Sequence, residues 1–563
     1  MLTREIHIGN LALGGTNPVR IQSMTNTNTM DTLSTVKQVM ELVDAGCELV
    51  RITARNKTEA ENLQKIKDEL LLKGCSVPLI ADIHFQPEAA EIAARIVNKV
   101  RINPGNYVDK RSSASKTKKY TKKKYQQELE KINSRLAPLI AICKEYGTAI
   151  RIGVNHGSLS ERITERYGDT PEGMVVSAME FIKLFVDHGF HNLVLSMKSS
   201  NVKTMIYSYL LLAAKIIESS YNYPLHLGVT EAGAGIDARI KSVTGIGELL
   251  MEGIGDTIRV SLTENPVHEI PVAKQLCQEF VKYRNNRADS FYRGYSFTKV
   301  EPLNIDGIGS DYSPAVITTE SDINSEKVHL PDYYYDIQQH NIKKFNSTDA
   351  SDIIRVDASD PDPINLQQDN TAVIAYNISL CSDLRLARKK LFDLKKSGNK
   401  QPIVLYKKYN HYNANEIQVA ASAEYAFFLI DGMLNGICID TIHHQTQTTK
   451  LMFSILQAMG LRRFKAEFIA CPTCGRTSYD VEGTLEKISL KLSHLKNLKI
   501  GVMGCIVNGP GEMADADYGY VGSQPNKINL YKGKKLIRKN IDEAIALEEL
   551  IKLIKENGDW KDE

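Results

Sequence analysis

From residue 20 to residue 262 the chain repeats one unit: a short β-branched run, a turn, an amphipathic helical stretch, then the next run. The runs fall at 20–24, 48–53, 78–83, 99–103, 149–154, 192–198, 225–230 and 257–262. Eight strands alternating with helices predict a closed (β/α)8 TIM barrel, and the span matches the usual size of about 250 residues for that architecture. Few other folds accommodate such a repeat.

Four of these strands carry a lone arginine between aliphatic residues: Val50-Arg51-Ile52, Val100-Arg101-Ile102, Ile150-Arg151-Ile152 and Ile258-Arg259-Val260. A charge inside a strand is costly unless it is paired. Each arginine taken singly is explained equally well by a buried structural ion pair, whereas four alike favour a shared anionic ligand. The strand ends add Asp82, His84, Asn103, Asn155, Lys198, Glu231 and Ser261, positions that gather at the C-terminal rim of a barrel, where active sites sit. Guanidinium forks match phosphate oxygens two at a time, so this rim suits a diphosphate.

Beyond the barrel pattern, a helical stretch over 267–283 leads into a polar Asn/Asp/Ser-rich region with the run Tyr333-Tyr334-Tyr335, read as a boundary. α/β alternation resumes over 352–461, with strands expected at 353–356, 372–376, 402–406, 426–430 and 437–440. Only the first of these holds an embedded arginine, Arg355, so a structural role is expected for this middle piece. The last hundred residues read as α+β, with a helix near 483–495, a strand near 498–502 and a terminal helix over 541–556. The expected division is a substrate-binding barrel over 1–284, an α/β middle insertion domain over 285–461 and an α+β cysteine-bearing domain over 462–563.

That last domain holds Cys471-Pro472-Thr473-Cys474 and, in a second loop, Cys505 within Gly504-Cys505-Ile506-Val507-Asn508-Gly509-Pro510-Gly511-Glu512. Two thiolates close in sequence and a third from a distant Gly/Pro-rich loop can close on one metal centre, and three sulfurs suit iron-sulfur chemistry. Glu512 follows Cys505 by seven residues, past a Gly-Pro-Gly turn able to fold it back on the metal. Solvent exposure is the default for any loop glutamate. The other six cysteines are scattered singly in apolar stretches and read as core residues. Nine cysteines without regular spacing argue against a disulfide framework and for a reducing compartment.

A net charge of +3 gives no bulk preference for nucleic acid. The most biased segment, 110–124, has eight cations and no acid, and reads as a solvated surface insertion because only Tyr120 offers stacking. No run of 18 apolar residues and no signal or transit pattern is present, so a cytoplasmic protein without membrane contact is expected.

These motifs together resemble one family, the 4-hydroxy-3-methylbut-2-enyl diphosphate synthases of the methylerythritol phosphate route to isoprenoids. The likeness covers residues 1 to about 280 and about 462 to 563. It rests on the thiol motifs and on Pro78-Leu79-Ile80-Ala81-Asp82-Ile83-His84-Phe85, Arg101-Ile102-Asn103-Pro104-Gly105, Arg151-Ile152-Gly153-Val154-Asn155, Gly228-Val229-Thr230-Glu231-Ala232-Gly233 and the run from Gly253 to Ser261. The large middle segment resembles the three-domain form of the family. The resemblance implies a reductive ring opening of 2-C-methyl-D-erythritol 2,4-cyclodiphosphate at one 4Fe-4S cluster per chain, with electrons from flavodoxin or ferredoxin.

It implies that Cys471, Cys474, Cys505 and Glu512 hold the cluster. It also implies that Arg51, Arg101, Arg151, Lys198 and Arg259, with Asn155 and Ser261, clamp the substrate. Asn103 and Asn508 are expected beside them, and Glu512, Glu231, Asp82 and His84 as catalytic groups. Closure of the cluster domain over the barrel is implied either within one chain or between two, so a homodimer is an open expectation. Three alternatives stand against this reading. A non-redox zinc protein would use His494 as fourth ligand and leaves the arginine rim unexplained. A radical enzyme using adenosylmethionine lacks its three-cysteine spacing here. A nucleic-acid module acting through 110–124 predicts steeply salt-dependent binding and no turnover.

Overall fold

The structure is a computed structural model that describes residues 2–84, 86–108, 120–285, 301–319, 330–345, 353–359, 371–441, 445–475, 477–506, 509–513 and 515–562. The basic insertion lies largely outside these residues. Two compact units are present: one comprises 1–242, 253–290 and 465–563, the other 243–252 and 291–464.

The first unit begins with a hairpin, β1 (Ile6–Ile8) and β2 (Leu11–Leu13), whose aliphatic side chains pack against Leu49, Ile80, Ala149 and Val194 near the N-terminal ends of the barrel strands. Eight parallel strands follow: β3 (Arg20–Met24), β4 (Leu49–Ala54), β5 (Leu79–Ile83), β6 (Lys99–Ile102), β7 (Ala149–Asn155), β8 (Leu193–Lys198), β9 (His226–Leu227) and β10 (Thr257–Ile258). Their order around the sheet is β8-β7-β6-β5-β4-β3-β10-β9, and a single parallel bridge from Leu195 to Leu225 joins the two ends. All eight expected strands are present, but β9 and β10 are only two residues long. At Gly228 a Cβ would lie 2.8 Å from the Arg259 carbonyl, so the two chains approach closely there without a regular ladder.

The same unit contains a five-stranded sheet in the order β20 (Glu467–Ala470), β21 (Lys499–Met503), β22 (Tyr518–Gln524), β23 (Lys527–Lys532) and β24 (Lys535–Asp542). The helices Val481–Leu492 and Glu543–Glu556 bury Leu485, Ile488, Leu550 and Ile554 against Ile500, Val502, Tyr518 and Tyr520 of that sheet. The sheet docks directly on the barrel rim. Ala470 bridges Ala232 in parallel, the Thr263 hydroxyl donates to the Cys471 carbonyl at 3.3 Å, and the Asn26 amide donates to the Thr473 hydroxyl at 2.9 Å. Glu467 lies 3.1 Å from both Lys241 and Lys499. Burial alone would raise its carboxyl, but the two lysines hold it down at about 2.

The second unit carries a small hairpin, β11 (Asn304–Ile305) and β12 (Ile308–Gly309), and a closed seven-stranded barrel. Its strands are β13 (Ala315–Thr318), β14 (Tyr333–Asp336), β15 (Asn341–Lys344), β16 (Ile353–Ser359), β17 (Ala372–Asn377), β18 (Ile403–Tyr409) and β19 (Gly436–Thr441). Two sequence expectations are corrected here. The tyrosine run is not a boundary but strand β14, with Tyr335 meeting the Tyr406 ring edge-on at 5.9 Å. The strand expected at 426–430 is the end of the helix Ala414–Leu429. That helix is buried on nearly every side, so its apolar residues show no 3.6-residue period and its last turn reads as a strand.

Candidate active site

The C-terminal ends of the barrel strands and the two thiol loops face one cavity, with about 660 Å³ of non-protein space between them. Both sides belong to the same chain and the same compact unit.

The four embedded arginines have different surroundings. Arg101 lies across β7, which Gly153 permits, since a Cβ there would sit 2.5 Å from Arg101 Nε. Its Nη2 donates to the Gly153 carbonyl and to Asn155 Oδ1, both at 3.1 Å, while its Nη1 is 2.6 Å from His84 Nε2 and 3.4 Å from Asp82. Burial would raise the Asp82 carboxyl, but Arg51, His84 and Arg101 hold it well below the usual carboxylate range. Arg259 is gripped by Glu269, with Nη2 donating at 3.0 Å and Nε at 3.2 Å, and Glu269 also accepts from the Ser23 hydroxyl at 2.6 Å. Arg51 Nε donates to the Met24 thioether at 3.0 Å.

Arg151 is only 1% exposed, and neither its Nε nor its Nη1 has a hydrogen-bond partner among the described residues. Burial first, then Arg51 and Arg101, push its guanidinium well below the ordinary arginine range. Burial and the cations Arg151, Arg51, Arg259 and Arg101 likewise push Lys198 well down. A buried guanidinium with two vacant donors, surrounded by further cations, is a strong electrostatic demand for an anion.

Asp82, His84, Asn155, Lys198, Glu231 and Ser261 all line the cavity with the arginines. Glu231 does so from a left-handed backbone conformation, φ 50°, which is rare for a non-glycine residue and recurs at functional sites. Its carboxylate accepts from Thr230, another lining residue. Asn103 is the exception: its side chain accepts the Gly105 amide at 3.0 Å and shapes its own turn outside the cavity wall. Asn508 and the side chain of Glu512 lie outside the described residues. Sequence reasoning missed Met24, Thr230 and Glu269. A thioether and a hydroxyl give no charge signal, and Glu269 stands at a helix start ten residues from the arginine it holds.

Opposite the cations, Cys471 follows β20 and Cys505 follows β21, so two adjacent parallel strands deliver both thiol loops to the same cavity. None of the three cysteines forms a disulfide. The Gly504 amide donates to Cys471 Sγ at 3.2 Å, the kind of contact that tunes a metal-bound sulfur. Among the described residues no three His, Cys, Asp or Glu side chains converge closely enough for a single ion. His494, the fourth ligand of the zinc alternative, instead approaches the Lys561 carbonyl at 2.9 Å and meets the Trp560 ring. Three thiols on one cavity wall, one of them accepting a backbone amide, are a donor set that fits an iron-sulfur cluster.

A parallel barrel with an anion-demanding mouth, covered by a thiol-bearing sheet of the same chain, defines a phosphate-binding redox enzyme of the iron-sulfur class. The chain belongs to the GcpE family: the family model of the GcpE TIM-barrel domain matches residues 3–274, and that of the GcpE protein C-terminal domain matches 467–556. A protein of Parabacteroides distasonis is 44% identical across 98% of this chain and 97% of its own length. Proteins of Phocaeicola vulgatus and Akkermansia muciniphila are each 42% identical, over 99% and 100% of this chain and 98% and 97% of their own. All three are named 4-hydroxy-3-methylbut-2-en-1-yl diphosphate synthase (flavodoxin).

Proposed function

We propose that this chain carries out the reaction for which its relatives are named, the reductive opening of 2-C-methyl-D-erythritol 2,4-cyclodiphosphate to 4-hydroxy-3-methylbut-2-enyl diphosphate. Two electrons and two protons enter and one water leaves. The observation that carries this reading is the single cavity, which joins the unsatisfied Arg151 to the three cysteines. Cys471, Cys474 and Cys505, with Glu512, would hold a 4Fe-4S cluster, which when bound supplies single electrons at an exchangeable iron.

The chain's own residues do the rest. Arg151, Arg51 and Lys198 neutralise the cyclic diphosphate, and its arrival satisfies the vacant Arg151 donors. Arg259 and Arg101, already anchored by Glu269 and by Asp82 and His84, act as fixed donors rather than free clamps. Glu231 and His84, both on the cavity wall, are placed to move protons as the ring opens and water leaves. The docked sheet excludes bulk water from this exchange. Flavodoxin, the donor in the relatives' names, supplies the electrons. We assign the barrel to 1–284, a structural insertion to 285–461 and the cluster domain to 462–563. The cysteine inventory fits a reducing cytoplasm.

Anaerobic purification tests this reading. The expected protein is brown, with about four irons and four sulfides per chain, and converts the cyclic diphosphate with a chemical reductant. Stoichiometric zinc without visible absorption, or no turnover of the cyclic diphosphate by iron-loaded protein, overturns it.

A further inference from the structure

The barrel rim covers one side of the thiol loops, since Asn26 bonds Thr473 and a Cβ on Gly475 would meet the Thr27 carbonyl at 2.7 Å. The sheet side is left as an approach for electrons from an external carrier. On that side lies an open groove of about 940 Å³ between the helices Val481–Leu492 and Glu543–Glu556, with Lys487, Asn526, Glu543 and Leu547 among its walls and Tyr520 at its base.

Tyr520 begins a continuous route inward. Its ring centroid is 5.7 Å from that of Tyr479, tilted by 58°. The Tyr479 hydroxyl donates to the Met503 carbonyl at 3.3 Å. That carbonyl belongs to the same peptide unit as the Gly504 amide, which donates to Cys471 Sγ at 3.2 Å. Ring contact, hydrogen bond, one amide and a second hydrogen bond thus connect the groove to a thiol with no open gap.

We infer that this groove is the docking site of the flavodoxin electron donor, and that Tyr520 and Tyr479 couple its flavin electronically to the cysteine-held cluster. This rests on the function proposed above. Each encounter oxidises the reduced flavin by one electron and reduces the cluster by one, two encounters serve one turnover, and the tyrosines keep their protons throughout. The surroundings suit a carrier that presents carboxylates around its flavin edge. Residues 527–539 of the hairpin β23–β24, whose Lys527–Asp542 end borders the groove, hold six cations and no acid. Lys527 pairs with Asp542 and Arg538 with Glu549 and Glu556, while Lys539 and, at the far turn, Lys532, Lys534 and Lys535 are exposed, with Leu536 and Ile537 each about 40% exposed beside them. Lysines alone are what an edge strand carries to block sheet extension. Exposed aliphatics among them are not. Of the carboxylates near the groove, Asp542 is paired with Lys527 at 3.1 Å, and Glu543 remains on the wall.

The test separates docking from coupling. Calorimetry with the metal-free full chain and a bacterial flavodoxin should show salt-dependent binding, weakened about tenfold by Lys487→Glu and unchanged by Tyr520→Leu. In the iron-loaded protein, Tyr520→Leu should slow cluster reduction by reduced flavodoxin about tenfold, while reduction by dithionite stays within about twofold of wild type. Unchanged flavodoxin affinity in Lys487→Glu overturns the docking site. Unchanged flavodoxin-driven reduction in Tyr520→Leu, or equal slowing with dithionite, overturns the route. Absence of dithionite-driven turnover in the wild type would refute the proposed reaction instead, and leaves the binding measurement able to decide the docking site.

Discussion

At the scale of single residues, the four embedded arginines show how far a pattern carries. Their repetition pointed to an anion, but the sequence does not show that Arg259 already holds Glu269 in a buried fork while Arg151 keeps two donors vacant among the described residues. The difference gives opposite expectations for one chemical change. Arg151→Met should leave the melting temperature and iron content near wild type and weaken cyclic diphosphate binding by about 2–5 kcal/mol, the usual loss when one side of a desolvated charge pair is removed. Arg259→Met strands Glu269, so it should destabilise the fold by about 3–5 kcal/mol. Equal loss of stability in both would contradict the division. Lys198 yields a pH dependence. Burial and four arginines hold its pKa down in the free protein, and an incoming diphosphate raises it again. Binding must then take up protons, and affinity should tighten as pH falls through the range between the two values. Calorimetry in buffers of different ionisation heat measures this directly, and zero uptake would rule it out.

Among the elements, those legible in the sequence were the ones whose pattern follows from local geometry: the eight barrel strands, though two of them proved only two residues long, the terminal helix, and the strand that delivers Cys505. What escaped depends on tertiary burial. The helix Ala414–Leu429 is apolar all round, β14 is a tyrosine run in polar company, and the hairpin β1–β2 is too short to have a period of its own. Sheet-to-barrel docking was implied by the family resemblance but not legible in the residues that make it, because Lys241 and Glu467 are 226 residues apart. Glu467 makes it measurable. A carboxyl held at about 2 in the folded chain, against an ordinary value of 4.5, contributes stability that is complete above the ordinary value and is lost as pH falls towards 2. Glu467→Gln should lower the melting temperature at neutral pH and remove part of the acid-side slope. A variant with an unchanged slope would show that the bridge is not coupled to folding.

For the molecule as a whole, the cation rim and the thiol loops occupy one cavity of one chain. A mixture of Cys505→Ser protein, expected to lose most of its iron, with Arg151→Met protein should therefore stay inactive, because neither chain can lend its intact half to the other. Recovery of activity on mixing would show exchange between chains. The vacant Arg151 donors have one more consequence, and it concerns the bottle rather than the cell. Small oxyanions can settle where the diphosphate belongs, stabilising the folded chain by RT ln(1 + [L]/Kd). Sulfate or phosphate in a purification buffer would then raise the melting temperature and weaken apparent substrate affinity together. The choice of salt thereby becomes part of any constant measured on this protein.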